Sequence, residues 1–276
     1  MNKPIISVII PCFNQGGYLL ELLDCFPNYQ DQSIYEIIIV DDGSSDEYTI
    51  SVFSELEKNG MHIIHQNNKG VCVARNVGIR SAIGKYIFAI DGDDKICIEF
   101  IYKVIEIFEN NPEFSVIYAN GEYFGSKEGP WNVGEFNLQR LMLWNYLPSG
   151  SAFRKAAWEQ VNGFDSKAGG LEDWDFWLSI AFNGGKFYYL EKSLFSYRVL
   201  PNSTIRSVTT GKYRILLDYL ENKHQSFLGN EHLSNHFALK FKNNKKLWMK
   251  LFLKIYFPKF LNKLVSRGSL DSNKLN

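Results

Sequence analysis

GVCVARNVGIRSAIGKYIFAIDGDD, running from Gly70 to Asp94, is the stretch whose reading sets the fold. Apolar residues at helical spacing predict a helix over Gly70 to Ile83, and Gly84 closes it. KYIFAI (Lys85 to Ile90) is almost wholly apolar rather than alternating. That is how a strand reads when helices cover both its faces. The acids of DGDD follow at once. Helix, buried strand and polar strand end together form the repeating unit of an open α/β sheet.

The same unit recurs on either side. IISVIIP (Ile5 to Pro11), YEIIIV (Tyr35 to Val40) and MHIIH (Met61 to His65) predict strands. Helical spacing predicts helices over Tyr18 to Phe26, up to about Lys58 with Ser44 and Ser45 as caps, and over Glu99 to Glu109. This alternation implies a Rossmann-like, mostly parallel sheet flanked by helices. In such sheets ligands bind outside the carboxyl ends of the strands. Pro11 to Asn14, Asp41 to Asp46 and Asp91 to Asp94 therefore converge on one edge.

Beyond FSVIYAN (Phe114 to Asn120) the periodicity weakens. Gly121 to Glu135 reads as a loop. Short helices follow near Leu138 to Trp144 and Lys155 to Val161, then the turn KAGG (Lys167 to Gly170), a helix EDWDFWLSIAF (Glu172 to Phe182) and a strand KFYYL (Lys186 to Leu190). The expected organisation is one domain over 1–205 in two lobes that part near residue 120, then a helical C-terminal appendage over 206–276.

Three carboxylates packed into Asp91, Asp93 and Asp94 raise one another's pKa unless a cation compensates them. A hard divalent ion, Mg²⁺ or Mn²⁺, suits such oxygen ligands. A solvated acidic turn capping the next helix is the plainer reading of this short pattern alone. DDGSSD (Asp41 to Asp46) suits either a helix N-cap or a carboxylate that accepts hydrogen bonds from a nucleoside. In EDWD, Glu172 and Asp173 either stabilise a helix N-terminus or supply a general base beside an apolar wall of Trp174, Phe176 and Trp177.

Taken in order, IISVIIPCFN, IIIVDDGSSD, the Gly70 to Asp94 block, GGLEDWDFWL and YRVLPNS resemble the family 2 glycosyltransferases of GT-A fold, over roughly residues 5–205. The resemblance implies inverting, metal-dependent transfer of a sugar from a nucleotide donor, UDP-linked by expectation, to a hydroxyl of a saccharide or polyprenyl-linked acceptor in surface polysaccharide synthesis. By matching positions it places Pro11, Phe13 and Asn14 beside the base. It puts Asp42 on the base edge with Asp41 nearby, and Arg75 and Asn76 near the donor. Asp91 falls between ribose and metal, Asp93 on the metal, and Asp173 as the base with Glu172 beside it. Many relatives read YRxHxxS in the last block, and Leu200 replaces that histidine here. A catalytically inactive sugar-nucleotide-binding module keeps the same motifs. A DxD phosphatase wants Thr or Val where Lys95 stands.

Thirty Lys and Arg balance 30 Asp and Glu, so net charge gives no reason to expect a nucleic-acid partner. Four cysteines without CxxC spacing, and an N-terminus without a cleavage site, predict a reducing cytoplasm. Between His232 and Leu270 lie nine basic residues and no acid. Their apolar neighbours Trp248, Leu251, Phe252 and Ile255 fit a helix lying on the inner face of the cytoplasmic membrane, or one packed on its own domain or in a homodimer.

Overall fold

In the computed structural model, which describes residues 3–27, 34–200 and 210–228, the all-apolar strands are explained by where alternate side chains go. Strand β1 (Ile6–Cys12) sends Ile6, Val8 and Ile10 into one core cluster and Ile9 into the other. Strand β2 (Tyr35–Asp41) divides Ile37 and Ile39 from Ile38 and Val40 in the same way. The first cluster is completed by α1 (Gly16–Leu23), α2 (Glu47–Lys58) and α4 (Glu99–Asn110), and the second by α3 (Val71–Ser81) and α7 (Glu172–Phe182). Each such side chain taken fully from water contributes about 1.5–3 kcal/mol before chain entropy is set against it.

The remaining elements are β3 (His62–His65), β4 (Tyr86–Ala89), β5 (Lys95–Ile96), β6 (Phe114–Gly125), β7 (Gly129–Trp131), α5 (Leu138–Leu143), β8 (Ala152–Arg154), α6 (Lys155–Gln160), a 3₁₀ turn (Ser166–Ala168), β9 (Lys186–Val199), α8 (Thr210–Lys223) and α9 (Gln225–Leu228). Described strands form one sheet in the order β3-β2-β1-β4-β8-β6-β9-β5, with β7 on β6. The half from β3 to β4 is parallel, as expected. The other half is mixed: β6 and β9 run parallel, but β8 is antiparallel to both β4 and β6, and β5 is antiparallel to β9. Short β8 enters from a loop rather than from a helical crossover, so the right-handed parallel rule does not govern it.

Three local expectations are corrected. The cap of α2 is Asp46, whose Oδ1 accepts from Thr49 N at 2.8 Å, not Ser44 or Ser45. The predicted loop from Gly121 is instead the continuation of β6, followed by β7. KFYYL is only the start of a strand that runs to Val199. Gly121 is needed because a Cβ there would lie 2.6 Å from Phe195 O on the neighbouring strand. What reads as a helix- and strand-breaker is a close backbone approach.

The chain divides into two compact units, residues 1–220 and 221–276. Leu216 and Leu220 of α8 are buried within the first. Among the described residues no helix is long and apolar enough to cross a membrane. The basic stretch from His232 to Leu270, and Pro201 to Ser203 of the YRVLPNS block, lie outside the described residues.

Candidate active site

The strand ends meet as the sequence anticipates. Asn14, in a left-handed conformation with φ of 54°, accepts from Ser45 N at 2.7 Å and Asp46 N at 3.2 Å, while its own N–H donates to Ser44 Oγ at 3.0 Å. This ties the loop after β1 to the loop after β2. Pro11 is buried, and Phe13 beside it is 43% exposed. The acidic turn lies beside the first loop, where a Cβ on Gly92 would make ordinary contact with Pro11 O at 3.4 Å and Gln15 Oε1 at 3.5 Å.

Asp41 and Asp42 are both buried and both engaged. Asp41 Oδ1 accepts from Ser44 N at 2.8 Å, and its Oδ2 lies 2.9 Å from His65 Nδ1. Asp42 Oδ1 accepts from Gln66 Nε2 and Lys69 N, and Oδ2 accepts from Gly70 N at 2.8 Å. That carboxylate shapes the loop leading into α3. Asn76 is likewise spent on the fold: its amide bonds Phe164 N and O and Trp158 Nε1. Trp174, Phe176 and Trp177 are core rings, with Phe176 stacked on Phe164 at 4.1 Å between centroids, and no open wall.

Arg75 is the centre of the site. Its guanidinium, 2% exposed, donates from Nη2 to Asp91 Oδ1 at 2.6 Å and from Nη1 to Asp173 Oδ1 at 2.6 Å. The Phe164 ring lies 5.2 Å from its Cζ. Asp91, in the turn after β4, and Asp173, in the first turn of α7, thus sit on two ends of one guanidinium. Burial lifts the Asp173 carboxyl to about 7, with Glu172 and Asp91 adding to the rise and Arg75 opposing it. Glu172 points elsewhere: its Oε2 accepts from Gly170 N at 2.5 Å, bracing the turn before α7.

Asp93 is pushed up to about 6, by burial first and then by Asp91. Asp94, 1% exposed and with Oδ2 lacking a hydrogen-bond partner, is raised well above its ordinary value for the same reasons. A desolvated cluster of carboxylates is an environment that a divalent cation relieves. Among the described residues no group of three or more His, Cys, Asp or Glu is arranged to hold a metal. Asp91 and Asp93 offer the carboxylate oxygens that suit a hard divalent cation, and its shell would need further oxygens from a bound ligand or water.

Two participants carry no expected role from the sequence. His65 pairs with Asp41, and Arg198, at the end of β9, bonds the acidic turn. Arg198 lies inside the quoted YRVLPNS block, which is the only sequence signal for it.

Acidic turns at the carboxyl edge of an open α/β sheet and a helix-borne carboxylate joined to them through Arg75 thus make one candidate site. The fold is similar to that of S. aureus TarS (residues 1–349) in complex with UDP-GlcNAc, with TM-score 0.62 and 20% identity over 92% of this chain and 79% of that one. It also resembles the mannosyltransferase PcManGT from Pyrobaculum calidifontis in complex with GDP-Man and Mn²⁺, with TM-score 0.57 and 17% identity over 99% and 77%. The family model for glycosyl transferase family 2 matches residues 7–171, and the chain belongs to that family. An uncharacterized glycosyltransferase of Haemophilus influenzae is 27% identical over 64% of this chain, which spans 62% of that relative's length. Chondroitin synthase of Pasteurella multocida is 27% identical over 76% of this chain, which spans 22% of that relative.

Proposed function

We propose that the protein transfers a sugar, with inversion, from a nucleotide-sugar donor to the hydroxyl of a saccharide or lipid-linked acceptor, with UDP-sugar as the donor class. The observation that carries this reading is the bridge from Asp91 through Arg75 to Asp173, which puts a donor-side acid and a basic carboxylate on one buried guanidinium. Asp173 Oδ1 is the oxygen held by Arg75, so Oδ2 takes the proton of the attacking hydroxyl. Its raised pKa brings its basicity near neutrality, where general-base catalysis is efficient and contributes about 10²- to 10⁴-fold. One base opposite the leaving group is the logic of inversion. Asn14 and the loops after β1 and β2 bind the nucleoside end. A divalent cation on Asp93 and Asp91, when bound, stabilises the negative charge gathering on the departing nucleoside diphosphate.

An inactive binding module would share every one of these contacts except turnover. Calorimetry with UDP and Mn²⁺, followed by a donor-hydrolysis assay across a panel of nucleotide sugars, tests the proposal. Binding with hydrolysis supports transfer, binding without it supports the module, and no UDP binding removes both.

A further inference from the structure

Arg198 is joined to the acidic turn at two points. Its main-chain N donates to Asp94 Oδ1 at 2.8 Å, and its Nε donates to the main-chain O of Asp93 at 2.7 Å. The other arm reaches α1, where Nη2 donates to Glu21 Oε2 at 2.8 Å. The guanidinium is sandwiched by rings, with Cζ 4.5 Å from the Tyr18 centroid and 4.3 Å from that of Phe124. Its side chain is 12% exposed. Lys95 Nζ meets the same Glu21 oxygen at 2.8 Å, and Lys95 opens β5, which pairs with β9 at Ser196 and Phe195.

These bonds have a common effect. Mutual repulsion among Asp91, Asp93 and Asp94 acts to open the turn between β4 and β5. Asp94 N on Asp91 O, at 3.1 Å, closes it from within, and β9 closes it from outside. Arg198 grips the Asp93 peptide and not the Asp93 carboxylate, so the main chain that carries the carboxylate is held without the carboxylate being taken up by Arg198. The planar fork of an arginine can serve Asp93 O and Glu21 at once between two rings, a task the single nitrogen of a lysine does not match.

We propose that Arg198 is a positioning residue which, by fixing the Asp93 peptide and the Asp94 side chain together, sets the Asp93 carboxylate for the cation and diphosphate of the donor. This rests on the donor-site reading above. It also gives the β9 end a part in the donor site that needs no ligand at Leu200.

The test is UDP titration calorimetry of the full chain with and without Mn²⁺, together with thermal unfolding, for wild type, Arg198→Lys, Arg198→Gln and Glu21→Gln. Wild type gains affinity on adding Mn²⁺. Both Arg198 variants lose at least about tenfold of that gain, while their metal-free UDP affinity, set by the loops after β1 and β2, stays at the wild-type value. Glu21→Gln, which loosens only the far end of the clamp, shows a smaller loss in the same direction and keeps the test open where an Arg198 variant does not fold. A full Mn²⁺ gain in any folded Arg198 variant overturns the proposal, as does a full gain in Glu21→Gln. So does an equal loss of metal-free and Mn²⁺-dependent affinity, which is what general loosening of the domain gives. A wild type indifferent to Mn²⁺ or to UDP instead removes the donor-site reading, and the role of Arg198 with it.

Discussion

Arg75 Nη1 and Asp173 Oδ1 meet at 2.6 Å although 98 residues separate them in the chain. The proposed base is therefore located by the docking of α3 against the turn before α7, and Arg75 accepts a cost for it: its buried Nε has no hydrogen-bond partner. Leaving a buried donor unpaired costs on the order of 1–3 kcal/mol. The two charge-assisted bonds at its other nitrogens offset that.

Asp173→Asn is expected to keep UDP affinity and to depress kcat by at least about 10²-fold, as loss of a general base does. Calorimetry and steady-state kinetics on the same preparation separate the two effects. Lost UDP affinity would move Asp173 into the donor site.

Transfer should also follow the protonation of that carboxylate. Burial raises it to about 7, so the base is protonated in acid and kcat climbs as pH passes through neutrality. Arg75 pulls the same group down, so in Arg75→Gln the climb shifts to higher pH. A kcat profile that is flat from pH 5 to 9, a range of roughly two units either side of that value, contradicts the assignment.

Asp93→Asn should abolish the Mn²⁺-dependent part of UDP binding and leave the thermal transition cooperative. Wild-type turnover in that variant would sink the metal assignment.

Gly84→Ala probes the helix-to-strand junction. A Cβ there would lie 2.6 Å from Ser7 Oγ and 2.7 Å from Ser7 N, backbone that cannot move aside. It would also disturb Gly84 N on Ser7 Oγ and the Glu36 carboxylate that takes Ser7 Oγ and Ile83 N. A loss of about 1–3 kcal/mol or more is expected in urea unfolding, in the range of overpacked cores.

His65 binds its proton more tightly when folded, because Asp41 accepts from it and Glu57 lies beyond. Its stabilising effect is complete below the ordinary histidine value of about 6.5 and fades as pH rises through the higher folded one. The Tm gap between wild type and His65→Gln should be widest in mild acid and close above neutrality. It will be small, since the ring is 49% exposed and screened by water.

The parallel half of the sheet is legible because β1, β2 and β4 are buried on both faces, which leaves an unbroken apolar signature. The second half hides because β6 and β9 carry Gly121, Gly125, Glu191 and Lys192 at positions where one face is open or another backbone comes close. The acids of the site are visible as acids. The meeting of the strand-end acids follows from the alternation, but no local pattern shows that Arg75 joins Asp91 to Asp173 or that Arg198 reaches Asp93. Asp42 and Asn76 show the converse: residues in family positions whose side chains in this structure are taken up by neighbouring backbone and Trp158.

Strand β9 is the last strand among the described residues, and it holds a turn whose own residues were made about a hundred positions earlier. On the ribosome, where chains emerge at about 5–20 residues per second and fold from the N-terminus, β1 to β4 can pair well before Arg198 leaves the tunnel. The nascent half-sheet then has the loops after β1 and β2, but its acidic turn lacks the bonds that Arg198 brings. The proposed placement of the Asp93 carboxylate thus comes only with the closing strand, and a translation product halted before β9 lacks it.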